Sequence, residues 1–241
     1  MKIHGNEVIR SFAVIIAAAL FMLPGTANAV SINGGSSILT QQYATQLETW
    51  LEYGSIGLTN IFTKNQGDNS VDFHASVDGK GPTFSVISLD NGNVVGGFNP
   101  FSWDSASGYK RDSNTNAFLF NLTTSTKYDH NRYDHVTFNN GNHGPTFGGG
   151  HDLFINSTLS GGYANIGLNY GDSSQYGNTA YRNAFTGSYL SWNITGLEVF
   201  TIGEPMATVP VPAALPLMGG ALAVFGFLAR KRSRIERAKS A

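Results

Sequence analysis

The chain has 241 residues, of which 41% are hydrophobic and only 13% charged, with 29 glycines, 12% aromatics and no cysteine. That balance excludes a disordered chain, a charged helical bundle, disulfides, thiolate metal sites and a cysteine nucleophile, and it favours an antiparallel β protein with many turns. The net charge of −1 hides a segregation: the two ends are basic, and residues 30–208 hold 14 acidic against 7 basic side chains, which excludes a nucleic-acid binder.

Residues 1–29 read as a secretory signal peptide. Lys2 and Arg10 supply the positive region before a short apolar core from Ser11 to Leu23, Pro24 and Gly25 break it, and Ala27 and Ala29 form the cleavage site. Ser36 and Ser37 are expected to cap a helix over about residues 38–53, with Leu39, Tyr43, Leu47, Trp50 and Leu51 on its apolar face and Gly54 as its stop. Strands are expected at 57–62, 83–89, 94–98, 117–122, 133–138, 152–155, 164–168, 185–190 and 194–202. Asn91-Gly92 between the second and third of these marks a hairpin. Residues 71–77 are ambiguous: Val71, Phe73, Ala75 and Val77 alternate as in a strand, whereas Val71, His74 and Val77 share a helical face.

The most site-like segment is Gly148-Gly149-Gly150-His151-Asp152. Its glycines permit positive φ and close backbone approach, and a β-branched residue at Gly149 is expected to be refused for that reason. His151 and Asp152 are candidate ligand-binding residues, as are His74 and Asp72. The leading expectation is nevertheless a structural loop, with Asp152 accepting from backbone amides. Asp129-His130 and Asp134-His135 are expected to lie on a solvated loop rather than to converge on a metal. Gly171-Asp172-Ser173-Ser174 lacks a downstream histidine to serve as an esterase base, and no phosphate loop or dinucleotide fingerprint is present. No catalytic residue, metal or cofactor is assigned.

Seven segments occur in an order that resembles the TLDc domain: TWLEYG, LTNIFTK, VDFHASVDGKGPTFSVI, GNVVGGFNPFSW, NAFLFNL, GPTFGGGHDLFI and GLEVFTIG. The resemblance covers about residues 36–203. It implies a mainly β, α+β fold, a two-sheet antiparallel β-sandwich with flanking helices, and a helix rather than a strand at about residues 70–77. It implies no agreed catalytic motif. Eukaryotic relatives are tied to oxidative-stress protection and the vacuolar proton pump, a partner that an exported bacterial protein would not meet.

Residues 204–208 read as a linker. Residues 209–229 carry no charge and are followed by Arg230, Lys231 and Arg232, the pattern of a membrane span with a cytoplasmic C-terminus. Pro210, Pro212 and Pro216 confine regular helix to the segment after them, about 20 Å long at 1.5 Å per residue. The start Val209-Pro210-Val211-Pro212-Ala213, the short apolar helix and the basic tail over 230–241 resemble the VPLPA variety of the PEP-CTERM sorting signal, which Gram-negative exosortases process. The domain order is therefore signal peptide 1–29, TLDc-like domain 30–203, linker 204–208 and sorting signal 209–241. The functional expectation is a non-enzymatic interaction domain, exported across the inner membrane, transiently anchored with its body in the periplasm, then sorted to the cell surface or matrix. Its expected partners are signal peptidase, an exosortase, and extracellular polysaccharide or envelope proteins. The alternative is an envelope- or polysaccharide-acting hydrolase with its site near the GGGHD loop.

Overall fold

The computed structural model describes residues 30–106, 108–131 and 134–204. The expected signal peptide with Ala27 and Ala29, the transmembrane segment, the sorting motif Val209–Ala213 and Arg230, Lys231 and Arg232 lie outside the described residues. Among the described residues, no helix is long and apolar enough to cross a membrane.

Eleven strands and three α-helices follow in order among the described residues: β1 (Ser31–Asn33), α1 (Gln41–Leu51), β2 (Gly57–Thr63), α2 (Ser70–Val77), β3 (Thr83–Leu89), β4 (Val94–Asn99), β5 (Gly108–Arg111), β6 (Phe118–Asn121), β7 (Thr126–Asp129), β8 (His135–Asn139), β9 (Leu153–Ile155), β10 (Gly162–Ala164), α3 (Thr179–Thr186) and β11 (Ile194–Gly203). Seven strands make one sheet in the order β1-β2-β11-β3-β4-β6-β7. It is antiparallel except where β1 runs parallel to β2. The pairs β5-β8 and β9-β10 are joined through Phe147, which bridges Thr137 on one side and Leu153 on the other.

Strand alternation divides the core. On one face of the large sheet, Phe84, Val86, Phe98, Phe118, Phe120 and Phe200 pack against Ala44, Leu47 and Leu51 of α1. From the other face, Ile87, Leu89, Val95, Leu119, Leu197 and Val199 meet Val136, Phe147, Leu153, Ile155 and Ala164 of the smaller strands, with Phe73 and Val77 of α2. A bulge between Val199 and Phe200 skips Ile61 in β2, so Leu58 serves the α1 side while Phe62 serves the sandwich side.

Four local expectations are corrected. The cap of α1 is Thr40, whose hydroxyl accepts from the Tyr43 amide, and the helix ends at Glu52 in the left-handed conformation, before Gly54 is reached. Ser36 and Ser37 are instead bound to the buried carboxylate of Glu198. Residues 185–190 hold no strand: α3 occupies 179–186, capped by Asn178 and stopped by Gly187. The strand expected at 164–168 lies earlier, as β10, because Asn165 onward turns to deliver amides to Asp152. The helix at 70–77 forms as the family resemblance implied, started by a capping box between Asn69 and Asp72.

Candidate functional site

The GGGHD loop sends its last two residues in opposite directions. Gly148 and Gly150 have φ of 78° and 83°, and His151 itself sits at 63°. Gly149 is not among the positive-φ residues, which corrects the reason expected for it. A Cβ there would instead press on the His135 ring at 3.0 Å and on Asn169 Oδ1 at 3.2 Å.

Asp152 points inward and is fully buried. Its Oδ1 accepts from the backbone amides of Leu168 at 3.2 Å, Asn169 at 3.0 Å and Tyr170 at 3.1 Å. These successive amides form a nest that fixes the 165–170 turn. Burial pushes the Asp152 carboxyl up to about 7, while the three amides pull it down. Asp152 therefore anchors the fold, as the loop reading expected, and offers no carboxylate to a ligand on the His151 side.

His151 faces the other way, onto a set of rings on the outer side of the smaller strands. Tyr109 of β5 packs on Phe138 of β8 at 4.8 Å, and Phe154 of β9 packs on Tyr163 of β10 at 4.9 Å. His143 and His151 fill the space between these pairs. His143 lies 5.4 Å from Phe138 and 4.8 Å from Phe154, and His151 lies 5.3 Å and 5.6 Å from the same two rings. His135 closes the row against Tyr109 at 4.3 Å. A register shift in the β5-β8 pairing skips Val136, so Val136 and Thr137 are both buried while His135 and Phe138 both reach Tyr109. None of these rings belongs to either core cluster. They are partly exposed, Tyr109 most of all at 36%.

The imidazoles of His143 and His151 stand 5.8 Å apart, and the Nδ1 atom of each is buried without a hydrogen-bond partner. Burial is the main cause that lowers the pKa of each, reinforced by His74 acting on His143 and by His143 acting on His151. For a histidine lowered in the folded state, stability is full above the ordinary imidazole value near 6.5 and is lost as pH falls below it. The buried carboxyl of Asp152 works in the opposite sense, its contribution fading as pH rises from about 4 through 7. The difference between wild type and His143→Gln isolates the histidine: thermal melts at pH 7.5 and pH 5 are expected to show a smaller acid loss in the variant.

The other sequence candidates do not join this face. Asp72 serves the cap of α2. His74 is buried, with Nδ1 2.7 Å from Asp78 and Nε2 3.0 Å from the Asn140 carbonyl. His130 is half-buried rather than solvated, with its ring on Tyr170 and Nε2 3.1 Å from the His135 carbonyl. Asp129 pairs with Lys127, and Asp134 with Arg111. Asp172 caps the turn at Ser173–Gln175 instead of orienting a nucleophile. Among the described residues, no group of three or more His, Asp or Glu side chains is placed to hold a metal ion. His143, Phe138, Phe154, Tyr109 and Tyr163 escaped the sequence reading. The outward alternation of Phe154 between Leu153 and Ile155 was the only signal available.

The fold thus defines a mainly β domain with two sets of strands, three flanking α-helices among the described residues, and an outward ring-lined face. The chain belongs to the TLDc domain family, whose profile matches residues 32–203. No curated protein matches it.

Proposed function

We propose that this protein is an exported binding module that uses the ring-lined face around His143 and His151 to hold extracellular polysaccharide. An envelope protein is the second partner that such a face suits. The observation that carries the reading is the outward row of Tyr109, Phe138, Phe154 and Tyr163 packed around the His143 and His151 rings, partly exposed and outside both core clusters. Aromatic faces stack on the C–H side of sugar rings, and the tyrosine hydroxyls of Tyr109 and Tyr163 supply hydrogen-bonding capacity beside them. The inward turn of Asp152 speaks against the hydrolase alternative at the GGGHD loop, because it separates the carboxylate from His151.

Export rests on the sequence of residues 1–29, with cleavage after Ala29. Transient anchoring and exosortase sorting rest on Val209–Ala213, the apolar segment and Arg230–Arg232. Intact-mass analysis of envelope and matrix fractions tests this part. Loss of residues 1–29 and of the basic tail is expected; matrix protein that still ends at Ala241 in cells with an active exosortase contradicts sorting. Affinity electrophoresis through gels loaded with the producing cell's own polysaccharide tests the binding part. Retardation of the wild type and its loss in Tyr109→Thr/Tyr163→Thr are expected, and equal mobility of the two proteins contradicts the face.

A further inference from the structure

A concave site that none of these rings lines lies where three loops meet. Asp90 comes from the β3-β4 turn, Asn156, Ser160 and Gly161 from the β9-β10 connection, and Ser191 and Asn193 from the segment leading into β11. Together with Leu190 and Trp192 they border a pocket of about 430 Å³. That volume lies within the range of small-ligand pockets.

The walls are pre-organised by bonds between the loops. Asn193 donates its backbone amide to Asp90 Oδ1 at 3.2 Å and its side-chain amide to Oδ2 at 2.7 Å, and the Asp90 amide returns a bond to the Asn193 carbonyl at 2.9 Å. Ile194 N donates to Ser160 O at 2.9 Å, and Ser160 N to Asn156 Oδ1 at 3.0 Å. These contacts hold Asp90 ionised, since the Asn193 donors lower its pKa. Each carboxylate oxygen keeps further acceptor capacity. Leu190 is 65% exposed at the rim, an apolar side chain that contributes nothing to either core. Trp192 is 5% exposed, and its indole N–H is buried without a partner.

We infer that this pocket binds a neutral saccharide residue. The lining offers a carboxylate, carboxamides and hydroxyls as hydrogen-bond partners for sugar hydroxyls, with Leu190 available to a sugar's apolar face. The lining has no Lys, Arg or His, and its one charge is negative, which disfavours uronates, phosphates and sulfates. The inference deepens the reading of the chain as a polysaccharide-binding module by adding a pocket for an individual residue or chain end, but its geometry is independent of the rings around His151.

Saturation-transfer NMR on the full-length protein, solubilised in a detergent without a sugar headgroup, tests it. The probes are methyl glucoside, methyl galactoside, methyl mannoside, N-acetylglucosamine and, as the anionic control, methyl galacturonate. Transfer to at least one neutral probe and none to galacturonate is expected. Asp90→Ala should reduce that transfer at least fivefold. If Asp90→Ala fails to fold, Leu190→Lys, a rim change on an exposed side chain, should do the same at unchanged circular dichroism. No transfer to any neutral probe, or full transfer in the folded variants, overturns the pocket. Tyr109→Thr/Tyr163→Thr should leave monosaccharide transfer intact, so failure of the ring-lined face and failure of the pocket are separately visible.

Discussion

Asp152→Ala is expected to destabilise the domain by about 3–5 kcal/mol, the largest effect of any single side-chain truncation in the GGGHD segment. The carboxylate is fully buried, and three successive amides depend on its Oδ1. Alanine leaves all three without that acceptor, two of them fully buried, and buried unsatisfied donors cost about 1–3 kcal/mol each before relaxation. Asp152→Asn keeps one carbonyl oxygen in the nest and should lose less than alanine. Gly148→Val should be as damaging as Asp152→Ala, for two additive reasons. Its φ of 78° is strained for a β-branched residue, and any Cβ there would overlap the Asp152 carboxylate. His151→Asn, by contrast, should cost about 0.5 kcal/mol or less, since asparagine tolerates the left-handed conformation and the ring lies outside the core. Urea melts of the four variants measure the order. A His151→Asn loss equal to that of Asp152→Ala would show that the loop is held from its outer side.

The second large effect is expected at Gly96 and Gly97, which sit together in β4, an interior strand of the seven-stranded sheet paired with β3 and β6. A Cβ on Gly96 would overlap the Ser85 carbonyl of β3 and meet the Phe120 ring at 2.8 Å. A Cβ on Gly97 would meet Leu119 and Phe147, each at 2.7 Å. The two glycines let Phe120 lie against the strand on the α1 side and Phe147 on the sandwich side. The obstacles differ in kind. Backbone in a paired strand has nowhere to go, whereas the ends of Leu119 and Phe147 can shift. Gly96→Ala is therefore expected to cost more than about 3 kcal/mol, and Gly97→Ala about 1–3 kcal/mol, as overpacking usually does. Chemical denaturation of both variants checks the ranking, and a Gly97 loss larger than the Gly96 loss would reverse the packing argument.

The sequence made legible what rests on local chemistry. Asn91-Gly92 gave the β3-β4 hairpin, and the spacing of Leu47 and Leu51 gave the buried stripe of α1. The alternation at 71–77 was a decoy. Val71 is 65% exposed, and the residues that reach the core are Phe73 and Val77, four apart. The better local signal was the Asn69-x-x-Asp72 capping box. Helix α3 was missed because its eight residues bury only Phe185 and Thr186, leaving too little periodicity to compete with strand-like Phe and Tyr content. Its frame, Asn178 before and Gly187 after, was readable. The ring-lined face was illegible for a different reason. Its rings come from β5, β8, β9, β10 and two loops, and the register shift that skips Val136 sets which of them turn outward. Nothing near His143 in Asn140-Gly141-Asn142-His143 announces that its neighbours will be His151 and Phe154.

We propose that the outward rings, and not a catalytic centre at His151 and Asp152, are what this chain uses. The fraction of the protein retained in washed extracellular matrix, compared between wild-type cells and cells expressing Tyr109→Thr/Tyr163→Thr at equal secreted amount and equal melting temperature, tests it most directly. Retention of the wild type and release of the variant into the wash is the predicted result, with the polysaccharide chain length unchanged in both. Equal retention of the two proteins, or shortening of the polysaccharide that depends on His151, would contradict it.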